Sequence, residues 1–176
     1  MILKDIQKKL EHSDFISSFF VADSKNPFDR LFVSLGLDAK KREQLLAITT
    51  TEQQIDVEGA IAKSPFLPVR IQYRIELPFH IEDFSLNQVA SLILFLNQFI
   101  DLPGFELDEL HGKVFYRYVW ITIPNAIDPN LIITILEAII LNLSLFSEVI
   151  ESLAEGKTSF NDLLSQIIEL SHRSHT

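Results

Sequence analysis

The hydrophobic pattern divides the chain into helical and strand-like segments. Apolar residues recur with helical spacing over about 2–20, 85–101, 128–156 and, more briefly, 159–170. Strand-like runs occupy about 29–35, 42–51, 69–77, 105–110 and 113–123, and the run VRIQYRIEL at 69–77 alternates strictly. Prolines and glycines fall between these segments, where turns and helix caps need them.

The order of these segments predicts an α+β protein. A helix, three strands, a helix, two strands and a helix follow one another, with a short C-terminal helix appended, and Ser85 with Gln88 forms a capping-box pattern at the second helix. Short connections between strands favour antiparallel pairing. We therefore expect a two-layer sandwich whose five-stranded, mainly antiparallel sheet carries helices on one face. We expect a single domain over 1–176, with 171–176 as a frayed tail.

The last strand contains the run VFYRYVW, which is apolar on both sides, so its buried face must be inferred from register. An even number of loop residues before it places the apolar residues of the preceding strand on the same face as Tyr116, Tyr118 and Trp120. An odd number would bury Asp108 among these rings as an unpaired carboxylate, which is costly. The aromatic side chains are therefore expected to point toward the helices.

The same parity gathers cationic side chains on the opposite, outer face of the sheet. We predict that this face holds Arg70, Arg74, Phe115, Arg117 and Val119, with Phe32 as a further candidate. Three of the chain's six arginines would then lie together in an acidic protein. One interpretation is a solvated face whose arginines pair with Glu76 and Glu106. The other is a docking face for a protein partner, because arginine and aromatic residues are enriched at interface hot spots.

Charge and composition narrow the function classes. Fifteen Lys and Arg against 24 Asp and Glu give a net charge of -9, which disfavours binding to nucleic acid. The lack of cysteine excludes disulfides, thiolate metal sites and a cysteine nucleophile, and it fits a reducing compartment, so we expect a cytoplasmic protein. The sequence places no base, nucleophile or ligand set together, so we predict no catalytic residues, no metal site and no cofactor.

The helices carry more apolar surface than one layer of contacts needs. The stretch at 131–150 is long enough to suggest a membrane span, but Glu137 inside it favours a buried helix, and we expect no membrane insertion. The helix at 85–101 carries five consecutive apolar residues, LILFL. Either the first and last helices cover this surface or a second copy of the chain does, and we expect a homodimer.

The element order, the stretch PFHIEDFSLNQVASLILFLNQFIDLPGFELDELHGKVFYRYVWITI and the long helix ending AEGK resemble a known fold. They are similar to the type III secretion chaperone-like fold, and within it to a family of unknown function found chiefly in cyanobacteria and their plastid relatives, related to the YbjN-like proteins. The likeness covers nearly the full length, most closely 66–165. It implies a small acidic protein, often a homodimer, that binds a partly unfolded protein segment along its surface without nucleotide hydrolysis.

The hypothesis that follows is a non-catalytic protein-binding module, chaperone-like or an assembly adaptor. The alternative is a binding domain or enzyme that holds an anionic small molecule with Arg70, Arg74 and Arg117. Binding of nucleic acid through the same arginines ranks last, because the chain as a whole is acidic.

Overall fold

The computed structural model describes residues 2–24, 27–52, 68–101, 104–123 and 126–173. The elements, in chain order, are α1 (Ile2–Glu11), β1 (Ser17–Phe20), β2 (Arg30–Leu37), β3 (Glu43–Glu52), β4 (Val69–Glu76), α2 (Leu86–Leu96), β5 (Phe105–Asp108), β6 (Lys113–Thr122), α3 (Pro129–Ala154) and α4 (Phe160–Arg173). A short 3-10 turn, Asp83–Ser85, precedes α2. The strands form one sheet in the order β1-β2-β3-β4-β6-β5. Residues 174–176 of the predicted tail lie outside the described residues.

The α+β class is confirmed, and the sheet has one strand more than the sequence predicts. Hydrophobic spacing predicts a helix over about 2–20, either continuous or broken near Ser13. In the structure α1 ends at Glu11 and β1 follows at Ser17–Phe20, where the sequence predicts no strand. Asp14 turns the chain between them with a positive φ of 61°. The run SSFF has low helix propensity and pairs antiparallel with β2, so it becomes an edge strand.

The chain divides into two compact units. The first comprises 1–75 and 117–141, and the second comprises 76–116 and 142–176, so β6 and α3 contribute residues to both. In the first unit α1 contacts β1, β2 and β3, and its buried side chains are Leu3, Ile6 and Leu10. The strands of this unit complete its core with Leu31, Val33, Leu46, Ile48, Ile71 and Tyr73.

Both register predictions are confirmed. Strand β4 alternates strictly between buried and more accessible side chains. On β6, Tyr116 pairs with Phe105 and Val114 pairs with Leu107, so the connecting loop is even and Tyr116 is buried. The ring of Tyr118 lies 5.7 Å from that of buried Tyr73, which places it on the inner face as well.

In the second unit the Asn97 side chain joins α2 to β5. Asn97 Nδ2 donates to the Phe105 carbonyl at 2.9 Å, and the Phe105 N–H donates to Asn97 Oδ1 at 2.9 Å. The Asn97 amide thus satisfies both the N–H and the carbonyl of Phe105, which a residue on a neighbouring strand would otherwise do. Gly104 precedes this contact, and a Cβ there would collide with Asn97 Oδ1.

The start of α2 lacks the expected capping box, whereas the end of α3 has the glycine cap that its sequence predicts. Ser85 makes no side-chain capping bond, and Gln88 Oε1 instead accepts from the Phe160 N–H at 3.1 Å, so the capping box does not form. Gly156 ends α3 with a φ of 69°, and the Lys157 N–H donates to the Ser152 carbonyl at 2.9 Å. This is a Schellman cap, which favours glycine because the left-handed conformation strains other residues.

Helix α3 is long and apolar enough over Asn130–Ala154 to cross a membrane, by length and composition alone. Core helices of soluble proteins meet the same criterion. The buried apolar side chains of α3 follow one stripe with helical spacing: Ile132, Ile135, Leu136, Ile139, Leu143, Ile150, Leu153 and Ala154. A one-sided stripe is typical of a helix in a small soluble domain.

Candidate binding cleft on the outer sheet face

Three neighbouring strands of the first unit present polar side chains on the outer face of the sheet. On β4 the outward residues are Arg70, Gln72 and Arg74, which alternate with the buried residues of the core. The antiparallel register aligns them with Thr51, Thr49 and Ala47 of β3. Strand β2 lies on the other side of β3, where Arg30 pairs with Thr49 and Phe32 pairs with Ala47.

Thr49 occupies the centre of this arrangement. It lies directly opposite Arg30 on one side and Gln72 on the other. Arg70 and Arg74 are its diagonal neighbours on β4, at about 7–8 Å between the backbones. Arginine side chains are long enough to reach the space above Thr49 from all three positions.

The structure has a cleft at this place with a volume of about 340 Å³. It is lined by Phe28, Arg30, Ala47, Thr49, Thr51, Arg70, Gln72 and Arg74. Such a volume is at the lower end of the range for small-ligand pockets. The cleft therefore suits a single compact group better than an extended cofactor.

The charge of the cleft is opposite to that of the whole chain. Its lining includes three arginines and, among the described residues that form it, no Asp or Glu. Arg70 Nη2 donates to Gln72 Oε1 at 2.7 Å, an interaction that holds one guanidinium without neutralising it. Glu76, expected to pair with the arginines, lies 2.7 Å from Lys113 Nζ through Oε1.

The structure separates the predicted outer-face residues into two groups. Arg70 and Arg74 line the cleft, as their parity suggests. Arg117 and Val119 lie on β6, half-buried, and are not among the residues that line the cleft. Phe115 is only 8 % exposed, so its ring is not available as an exposed aromatic contact. β6 is an inner strand of the sheet, and parity along an inner strand does not by itself determine how far a large side chain is exposed.

Arg30 was missing from the predicted site, and a signal for it exists in the sequence. It stands two residues before Phe32, the further candidate for the outer face, so alternation along β2 places both on one side. The threonines of β3 carry a weaker signal, because that run, LLAITTTE, is polar only in its second half. Their role appears only from the pairing with β2 and β4.

Aromatic side chains lie at the border of the cleft. Phe28 is 51 % exposed and lines it directly. Phe20 of β1 and Phe32 of β2 meet edge to face, with ring centroids 5.3 Å apart. The outer face of the first unit thus combines cations with accessible apolar surface.

The chemistry of the cleft is that of recognition. Guanidinium groups, two threonine hydroxyls and a carboxamide can donate hydrogen bonds to an anion. In the part of the chain that the structure describes, no cluster of three or more His, Cys, Asp or Glu side chains could hold a metal ion.

The comparisons with known proteins are negative. No protein-family model matches the chain, and no curated protein matches it.

Proposed function

We propose that this protein is a non-catalytic protein-binding module whose outer sheet face binds an acidic segment of a partner protein. The observation that carries the proposal is the cleft lined by Arg30, Arg70 and Arg74, with no Asp or Glu among the described residues that line it. In a chain of net charge -9, three such side chains on adjacent strands form a local region of opposite potential. An anionic group is the ligand that complements it.

The aromatic border supports a protein segment as the ligand. Phe28 at the cleft and exposed Phe20 nearby offer apolar contacts that an isolated small anion would not use. Interface hot spots combine arginine with aromatic side chains in this way. The chaperone-like role that the fold resemblance implies, binding of a partly unfolded segment, is consistent with such a surface.

Three further expectations belong to this proposal. A two-layer sandwich with its helices on one face would leave the outer face free for a partner. The exposed α3 residues Leu131, Leu141 and Leu145 are consistent with a homodimer, which a solution mass measurement tests. The absence of cysteine fits a cytoplasmic location.

The test uses fluorescence anisotropy with a labelled peptide of glutamate, alanine and leucine. A matched peptide carries glutamine in place of each glutamate. We expect the acidic peptide to bind, the neutral peptide to bind much more weakly, and added salt to weaken the acidic peptide most. The triple substitution Arg30→Gln, Arg70→Gln and Arg74→Gln should abolish the difference between the peptides.

Each single arginine substitution is compared with a control outside the cleft that also removes one positive charge. Lys8 is exposed on α1, which packs on the inner face of the same sheet. Lys8→Gln removes one positive charge from the first unit but leaves the cleft intact, so we expect unchanged peptide binding. Equal binding of both peptides to the native protein, or full binding by the triple variant, would overturn the proposal.

The concavity of the cleft favours a second candidate function, which is binding of an anionic small molecule. A volume of about 340 Å³ would enclose a compact phosphorylated or carboxylated metabolite. A thermal-shift screen decides between the two, because a ligand present at 100 times its dissociation constant adds about 2.7 kcal/mol to stability. A metabolite that stabilises the protein and displaces the acidic peptide would favour the second candidate.

A further inference from the structure

We infer that the anion recognised by the cleft is a phosphate monoester, carried as a phosphorylated side chain on the partner segment. This inference rests on the proposed function and specifies its ligand. It is motivated by the number and backbone positions of the donors around Thr49 rather than by their charge alone.

The three arginines line the cleft from three backbone positions around Thr49. Arg30 comes from β2, two strand spacings or about 9.5 Å from the backbone of Gln72. Arg70 and Arg74 come from β4, four residues or about 13 Å apart along that strand. The point above Thr49 is the place that all three can share.

The shape of the anion decides what can use these donors together. A carboxylate is planar, carries one negative charge and is satisfied by one forked guanidinium. A phosphate monoester carries nearly two negative charges at neutral pH and has three terminal oxygens in a tetrahedral arrangement. Its oxygens can accept from Arg30, Arg70 and Arg74 at once and still reach the Thr49 hydroxyl.

The rest of the cleft fits a dianion. Gln72 Oε1 accepts from Arg70 Nη2 at 2.7 Å, which leaves the Gln72 amide group free to point its N–H donors elsewhere. Three guanidiniums in one small cleft repel one another, and a doubly charged group offsets this repulsion better than a singly charged one. A segment with separate glutamates would have to order one side chain for each arginine, at a larger entropic cost.

The experiment compares four ligands by fluorescence anisotropy or by competition against the labelled ligand. The labelled ligand is a short peptide of alanine, glycine and serine with one central phosphoserine. The competitors are the same peptide with glutamate at that position, the same peptide with serine, and free O-phosphoserine. We expect the phosphopeptide to bind at least about tenfold more tightly than the glutamate peptide, and the serine peptide not to bind.

Substitutions locate the binding site. Each of Arg30→Gln, Arg70→Gln and Arg74→Gln should weaken phosphopeptide binding roughly tenfold or more, because each removes charge-assisted hydrogen bonds. Thr49→Val keeps the β-branched shape that suits a strand but removes the hydroxyl, and it should weaken the phosphopeptide about fivefold. Lys8→Gln should bind like the native protein. Urea unfolding of each variant shows that loss of binding does not reflect loss of folding.

The outcomes distinguish this inference from the proposed function. Equal binding of the phosphopeptide and the glutamate peptide, both lost in the arginine variants, would overturn the inference and leave the acidic-segment proposal standing. Failure of every ligand, including the acidic peptide of glutamate, alanine and leucine, would overturn both. If free O-phosphoserine competes as well as the phosphopeptide, the ligand is a small phosphorylated molecule and the assignment to a partner segment is wrong. Full phosphopeptide binding by Thr49→Val with all three arginines also replaced would sink the site itself.

Discussion

Asn97 joins two elements of the second unit through one side chain, so its loss should destabilise that unit. Its amide group makes both hydrogen bonds to the backbone of Phe105, each at 2.9 Å, and Phe105 is only 2 % exposed. In Asn97→Leu the side chain keeps a similar size but can neither donate nor accept. The N–H and carbonyl of Phe105 would then lose their partners in a place with little access to water.

The magnitude follows from these two bonds. An unsatisfied buried donor or acceptor costs about 1–3 kcal/mol, so two partly buried groups should cost about 3 kcal/mol. For a chain of this size, 1 kcal/mol corresponds to roughly 2–4 °C in the melting temperature, so we expect a decrease of roughly 6–12 °C. Equilibrium urea unfolding followed by circular dichroism measures the free-energy change, and an unchanged slope would show that the folded and unfolded states are otherwise the same.

A matched control exists on the same helix. Asn87 is exposed on α2, so Asn87→Leu should change stability by no more than about 0.5 kcal/mol. If Asn97→Leu is as stable as the native protein within this margin, Asn97 does not hold β5 and the explanation of the α2 end is incorrect.

Three other substitutions test the fold and its titration. Tyr73→Phe removes a buried hydroxyl that has no hydrogen-bond partner among the described residues, so unfolding in urea should show equal stability or a gain of up to about 1 kcal/mol; a clear loss would reveal a missed partner. Gly112→Ala should destabilise the protein by about 1–2 kcal/mol or more, since φ is +60° and the new Cβ would lie 2.6 Å from His80 Cε1; combination with His80→Ala should recover only the steric part of the loss, and an additive effect would contradict the contact. Burial raises the pKa of Asp38, but hydrogen bonds from the backbone and side chain of Arg42 outweigh it and hold this pKa below the ordinary value of an aspartate. The stabilisation by Asp38 is therefore present above its unfolded pKa and lost as pH falls through its folded pKa, and NMR titration should show a higher Asp38 pKa in Arg42→Gln.

The features that the sequence predicts best are those set by a short periodic pattern, such as the face of the sheet on which a strand residue lies. Strict alternation in β4 places Arg70 and Arg74 on the side opposite the buried residues, and the structure agrees. The even loop before β6 follows from the cost of burying a carboxylate, and the observed pairing of Phe105 with Tyr116 agrees as well. In both cases one local rule and one energetic penalty determine the result.

Features that depend on tertiary partners could not be predicted in this way. Gln88 fits a capping box in sequence, but its side chain accepts a bond from Phe160, 72 residues away. Phe115 shares its parity with Arg117 and Val119, which are half-buried, yet it is only 8 % exposed. The central position of Thr49 depends on the strand order and on two registers, and a periodic pattern contains neither of them.

The three cationic side chains of the cleft belong to strands far apart in sequence, since Arg30 opens β2 and Arg74 lies near the end of β4. In the unfolded chain they disperse, so an anion that contacts all of them binds only when these strands are paired. A bound anion would then stabilise the pairing of β2, β3 and β4. Hydrogen–deuterium exchange of the backbone amides in all three strands should therefore slow together as the anion concentration rises. Ligand binding would thereby reduce local unfolding in the first unit.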